Sequence, residues 1–125
     1  MTDADPSIGL FLRLLFNGTR FGPGKAQLLR GIRDTGSISS AGRAMGMSYK
    51  RAWSLVEEMN AAFVAPLVET ARGGAGGGGA RLTETGAEVL MRYEAVLEAT
   101  RSAGAGDIAA LTGLLRPRSD ISGGK

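Results

Sequence analysis

Cysteine and histidine are both absent from the chain, and aromatic residues make up only 6% of it. The first absence removes disulfide frameworks and thiolate metal sites. The second removes the commonest general base and the commonest metal ligand. The carboxylates do not fill the gap: Glu57 and Glu58 are neighbours on a helical stretch, so their side chains splay by about 100°. That is the pattern of solvated or ion-paired residues. Neither an enzyme nor a bound cofactor or metal is expected. Also missing is any apolar run near the roughly 20 residues of a membrane helix. The opening MTDADPS is acidic and polar, where a secretory signal is basic and then apolar. A cytoplasmic protein without membrane contact is the expectation, and 125 residues at 43% apolar composition suffice for one modest core.

Charge is present, and unevenly. Between Arg20 and Leu55 stand Arg20, Lys25, Arg30, Arg33, Arg43, Lys50 and Arg51 against Asp34 alone, within a net charge of +3. From Glu84 onward acids slightly outnumber bases. A basic half joined to a near-neutral half suggests a polyanion-facing surface beside one that faces protein, against the alternative of an ordinary solvated surface.

The pattern along the chain gives this asymmetry a shape. IGLFLRLLFN (8–17) reads as a strand ended by Asn17-Gly18. GPGKAQLLRGIRDTG follows as a helix with Pro23 in its first turn, Gly36 at its end and Leu28, Leu29 and Ile32 on its buried face. Ser39 to Met45 reads as a short helix stopped at Gly46. Ser48 then caps a second helix, 48–60, with Ala52, Leu55, Val56, Met59 and Phe63 at three-to-four spacing. Two helices joined by a short glycine turn make a helix-turn-helix candidate, with Gly42 and Gly46 as the small contact and the turn. LVET and ARLT read as the strands of a hairpin, 67–83. Thr83 or Thr85 can cap the long helix that follows, Thr85 with Glu88 fitting a capping box. Val89, Leu90, Tyr93, Val96 and Leu97 form its apolar stripe, to be buried on the domain or on a partner helix. A short helix, 107–116, is expected to be capped by Asp107. The expected architecture is mainly α with a small β component: a winged helix-turn-helix over 7–83, then helices over 84–116, between disordered ends 1–6 and 117–125.

Six of the seven residues 73–79 are glycine, and they include a G-x-G-x-x-G at Gly74, Gly76 and Gly79. A dinucleotide fingerprint needs a helix opening directly after the run, inside a βαβ unit, and here ARLT intervenes. A Walker loop needs a closing Gly-Lys-Ser/Thr, which is absent. A hairpin tip remains, with Arg72 and Arg81 at its base.

GPGKAQLLRGIRDTGSISSAGRAMGMSYKRAWSLVEEMN, PLVET and RGGAGGGGARLTETG together resemble the DNA-binding domain of the ModE family of molybdate-responsive transcription regulators, over about Gly22 to Arg101. A more distant similarity, through GSISSAGRAMGMS, PLVET and LTETG, is to the N-terminal domain of LysR-type regulators. The resemblance implies that the long helix pairs with its twin in a homodimer. About two dozen residues follow Arg101, too few for the C-terminal molybdate-binding domains of full ModE regulators. Molybdate binding by this chain is therefore not expected.

The expected partner is double-stranded DNA. The first turns of the second helix enter the major groove in such folds, which nominates Ser48, Tyr49, Lys50, Arg51 and Ser54. Arg51, with its rigid fork, is the better candidate for a guanine, and Lys50 for a guanine or a phosphate. Ser39, Ser40 and Arg43 would hold phosphates, and Arg72 and Arg81 the backbone or minor groove beside the wing. Trp53 reads more readily as a core plug than as a base reader. The rival reading is an interaction module that pairs with another regulator and reads no DNA.

Overall fold

Two serines start the central helices. The Ser37 Oγ accepts the Ser40 N–H at 3.0 Å, and the Ser48 Oγ accepts the Arg51 N–H at 3.0 Å. Each satisfies one of the free donors that a helix start leaves open. These serines delimit helices Ile38–Ala44 (α2) and Tyr49–Ala62 (α3) in a computed structural model that describes residues 9–74 and 77–117, the side chains of 72–78 excepted. Before them come the strands Leu14–Phe16 (β1) and Thr19–Phe21 (β2) and the helix Pro23–Thr35 (α1). After them come Val68–Gly74 (β3), Gly77–Leu82 (β4), Glu84–Ala103 (α4) and Ala105–Gly113 (α5). Residues 11–95 form one compact unit, while residues 9 and 10 and those from Val96 onward belong to a second.

Within the first unit, α1, α2 and α3 cross at close range. A Cβ on Gly42 would lie 2.7 Å from the Ala52 Cβ, so α2 and α3 approach where only a hydrogen fits. Gly46 turns the chain between them at φ 76°, the left-handed region that costs other residues strain. Ala26, Leu28, Leu29 and Ile32 of α1 and Ala52, Val56 and Met59 of α3 are buried in the core. Each large aliphatic side chain so removed from water contributes about 1.5–3 kcal/mol. Phe21 meets Tyr93 edge-on at 5.1 Å and Phe63 at 6.4 Å, binding the first hairpin, the end of α3 and α4 into that core.

Strands β3 and β4 pair antiparallel, with Val68 opposite Leu82 and Glu69 opposite Arg81. The Ala80 N–H donates to the Gly36 carbonyl at 2.9 Å, tying this hairpin to the end of α1. The arrangement is mainly α with two small antiparallel sheets, a winged helix-turn-helix as the pattern implied.

Three local expectations are corrected, and the choice between Thr83 and Thr85 as cap is settled. The strand expected over 8–17 is only Leu14–Phe16, because the chain reverses at Asn17-Gly18 and pairs at once with β2. The wing strands run into the glycine stretch rather than stopping at LVET and ARLT, since backbone pairing needs no side chain. Thr83 rather than Thr85 caps α4, its Oγ1 accepting the Gly86 N–H at 2.9 Å. The last helix begins at Ala105 after Gly104, so Asp107 sits in its first turn and does not cap it. The ends expected to be disordered lie outside the described residues, apart from Pro117.

The tightest contact lies between α4 and the segment before β3. A Cβ on Gly86 would be 2.9 Å from the Leu67 carbonyl carbon and closer still to its oxygen. Gly86→Ala should cost about 3 kcal/mol by overpacking, although alanine is the better helix former by about 1 kcal/mol. Gly24→Ala, where nothing lies within 4 Å, should be neutral or stabilising. Urea midpoints of the two variants check this, and equal stabilities would contradict the packing.

Candidate nucleic-acid interface

Three of the seven cations of the basic half are already engaged. The Lys25 Nζ donates to the Glu58 Oε2 at 2.7 Å and to the Arg20 carbonyl at 2.7 Å. The Arg30 Nε reaches the Glu94 Oε2 at 2.8 Å and the Arg33 Nε the Asp34 Oδ1 at 2.9 Å. Among the described residues, Arg20, Arg43, Lys50 and Arg51 have no ion-pair partner. Three of those four stand at the end of α2 and the start of α3. The local excess of positive charge therefore falls on the helix-turn-helix.

The α3 start is built to present them. With Ser48 as cap, Tyr49, Lys50, Arg51 and Ser54 are all exposed. Tyr49 lies over Trp53 one turn on, ring centroids 6.3 Å apart and planes 14° from parallel. Trp53 is half-buried, so it is neither a full core plug nor a free ring. The Arg43 Nη2 reaches the Ser39 Oγ at 3.4 Å, and both face the turn side of α2. Ser40 is half-buried, with its N–H spent on the Ser37 cap.

The wing differs from expectation. Arg81 donates from Nε at 2.8 Å and from Nη2 at 2.7 Å to one oxygen of Glu69, its cross-strand partner. The Arg72 side chain lies outside the described residues. The α4 stripe is divided too. Leu90 and Tyr93 are buried in the first unit, and the Tyr93 Oη donates to the Leu12 carbonyl at 2.6 Å. Of the two surfaces the stripe could meet, these side chains meet the domain, Tyr93 packing against Phe21. Val89 and Leu97 are half-buried, while Val96 and the neighbouring Met91 are exposed.

One residue escaped the sequence reading. The Asn60 Oδ1 accepts the Leu67 N–H at 2.8 Å and the Val68 N–H at 3.1 Å, and its Nδ2 donates to the Val68 carbonyl at 3.1 Å. It fastens the C-terminal turn of α3 to the first wing strand. An asparagine inside a helix, where it is a poor former, was the available signal.

A capped helix with a cluster of unpaired cations, set beside a wing, defines a module of the winged helix-turn-helix class. No family model matches the chain. It is 47% identical over 79 residues to the molybdenum-pterin-binding protein MopB of Rhodobacter capsulatus, covering 63% of this chain and 29% of that one. Its identity to the transcriptional regulator ModE of Yersinia pestis is 44% over 72 residues, 58% and 27% of the two chains. To the DNA-binding transcriptional dual regulator ModE of Escherichia coli K12 it is 41% over 81 residues, 65% and 31%. The chain thus spans less than a third of the length of these relatives. Over that segment it is similar to ModE regulators and to a Mop protein, the resemblance its motifs indicated. These relatives are regulators and molybdenum-binding proteins rather than enzymes. No helix among the described residues is long and apolar enough to cross a membrane.

Asn60→Ala leaves two backbone N–H groups at Leu67 and Val68 without a partner, an expected loss of about 2–4 kcal/mol. Asn60→Asp keeps the acceptor and should lose less. Denaturant unfolding of both checks it, and an Asn60→Ala midpoint equal to the parent's would contradict the staple. The Lys25 ammonium holds the Glu58 carboxyl below the usual carboxylate range. Their pair therefore stabilises the fold near neutral pH, and the contribution fades as pH falls through that depressed value. For so exposed a carboxylate it is under about 1 kcal/mol. Glu58→Gln should lower the melting temperature slightly at pH 7 and leave it unchanged at pH 2.5.

Proposed function

We propose that this segment is the DNA-reading part of a molybdenum-related transcription regulator, binding double-stranded DNA with α3 in the major groove. The observation that carries the reading is the cluster Arg43, Lys50 and Arg51, exposed and without acid partners among the described residues, at the turn and N-terminus of a capped helix. Arg51 or Lys50 bonds a guanine edge, Tyr49 and Ser54 take a methyl, phosphate or base edge, and Ser48 holds the helix start that positions them. Ser39, Ser40 and Arg43 fix the register on phosphates. Arg72 and Arg81 stand on the wing side. The names of the ModE relatives, which are transcription regulators, support the same reading. A DNA partner places the protein in the cytoplasm, and no molybdate-binding role is proposed for these residues.

We further propose a homodimer formed by the outer part of the long helix and α5. In the second unit Val96, Leu111, Leu114 and Leu115 are 41%, 63%, 81% and 70% exposed, an apolar surface suited to a twin helix. A twofold dimer sets the recognition helices about 34 Å apart, or a multiple of it, on a near-palindromic site. The same leucines also favour the second reading, an interaction module that pairs with another regulator.

Anisotropy titration of a duplex selected from random DNA, against a scrambled duplex, separates the two. The DNA reading expects a preference for the selected duplex and a steep loss of affinity with salt. The double substitution K50A/R51A should weaken binding to the selected duplex by about tenfold or more. Unchanged affinity in that variant sinks the readout assigned to α3, and no binding to either duplex favours the interaction module.

A further inference from the structure

We infer that Glu69 cancels the charge of Arg81 on the wing, so that Arg81 contributes no phosphate contact and the protein's sequence-independent grip on DNA is lowered. The inference rests on the DNA-binding reading above.

Glu69 and Arg81 face each other across the β3–β4 ladder, which places their Cβ atoms about 5 Å apart. Both Nε and Nη2 of Arg81 converge on a single oxygen of Glu69, at 2.8 and 2.7 Å. The pair is not sealed from water: the Arg81 side chain is 79% exposed and that of Glu69 48%. An exposed pair of this kind is weak, so DNA can open it. The carboxylate, however, cannot leave. Any phosphate that captures the guanidinium stands a few ångströms from Glu69 and is repelled by it. Both residues also border the shallow trough between the wing and Gly36, so a phosphate seated there meets the same acid.

The charges of this acid and this base sum to zero, which leaves Arg72 as the wing's remaining charge. A neutral patch displaces no net counterions from DNA, so it adds nothing to the salt-dependent, sequence-blind part of affinity. The contrast lies at the helix-turn-helix, where Arg43, Lys50 and Arg51 meet no acid among the described residues. Positive charge is thereby left whole on the element that reads base edges and reduced on the element that touches only backbone. Glu69 acts by subtraction: it limits dwelling on arbitrary DNA.

The test is a double-mutant cycle on binding affinity, with the selected duplex and its scrambled counterpart titrated at several salt concentrations. Arg72 is kept in every variant, and melting temperatures confirm folding. E69Q should tighten binding to both duplexes by a similar factor, about fivefold at low salt, and steepen the salt slope by about one, as one added phosphate contact does. R81A alone leaves the Glu69 carboxylate uncompensated and should weaken binding to both duplexes by a similar factor. E69Q/R81A should return to the parental values, because the gain runs through Arg81. The inference is overturned if E69Q/R81A binds more weakly than the parent, since Arg81 would then already hold a phosphate. It is equally overturned if E69Q changes nothing, or tightens only the selected duplex. Those outcomes leave the DNA reading standing. If the parent binds neither duplex, that reading and this inference fall together.

Discussion

The backbone of residues 66–68 is gripped from both sides, and the relation between the recognition helix and the wing depends on it. From α3, Asn60 bonds the N–H of Leu67 and both backbone groups of Val68. From the β4–α4 junction, the Thr83 Oγ1 donates to the Pro66 carbonyl at 2.6 Å, and the Thr83 N–H donates to the Leu67 carbonyl at 2.9 Å. Gly86 lets α4 press against the same carbonyl. A two-stranded hairpin is marginal by itself in water. Clamped in this way, with Leu67 fully buried beneath it, the wing becomes a continuation of α3 and α4. A wing that moved independently of α3 could not add its contacts to those of the helix at a fixed spacing.

The same economy governs charge. The molecule carries an excess of only three positive charges, too small to favour nucleic acid strongly if spread evenly. Pairing redistributes it. Lys25, Arg30 and Arg33 are neutralised by Glu58, Glu94 and Asp34, two of these pairs spanning residues far apart in sequence. Of what survives, Lys50 and Arg51 sit at the N-terminus of α3, where the helix dipole adds a further partial positive charge. Net charge is thus a poor guide to this surface, and the pattern of unpaired cations a better one.

This explains how much could be read from the chain. The helix-turn-helix was legible because every determinant is local: Ser48 three residues before the N–H it caps, Gly46 at the one left-handed turn, Gly42 and Ala52 on facing surfaces. The first hairpin was half legible, since Asn17-Gly18 marked a turn but the three-residue β2 carries too little pattern to register as a strand. Asn60, the Glu69–Arg81 pair and the fate of the α4 stripe were not legible as contacts. Each depends on a partner brought close only by the fold, from Leu67 seven residues on to Leu12, 81 residues away from Tyr93. Periodicity marks which face of α4 is apolar but not what covers it. Leu90 and Tyr93 are buried in the chain's own core, Tyr93 against Phe21, and Val96 is left exposed.

The glycine run follows from the same reasoning. Its outer residues are strand, and their role is proximity: a Cβ on Gly79 would stand 3.2 Å from the Gly36 carbonyl oxygen, beside the hydrogen bond that the same carbonyl accepts from Ala80. A larger residue there would push the wing off the end of α1 and strain that bond. Glycine's entropic cost is set against this close seating and against the Asn60 and Thr83 clamp at the hairpin's base. A wing with little side-chain bulk can be positioned this closely only because its base is held by other means. Composition that looks like a linker in isolation is, at Gly79, a packing requirement.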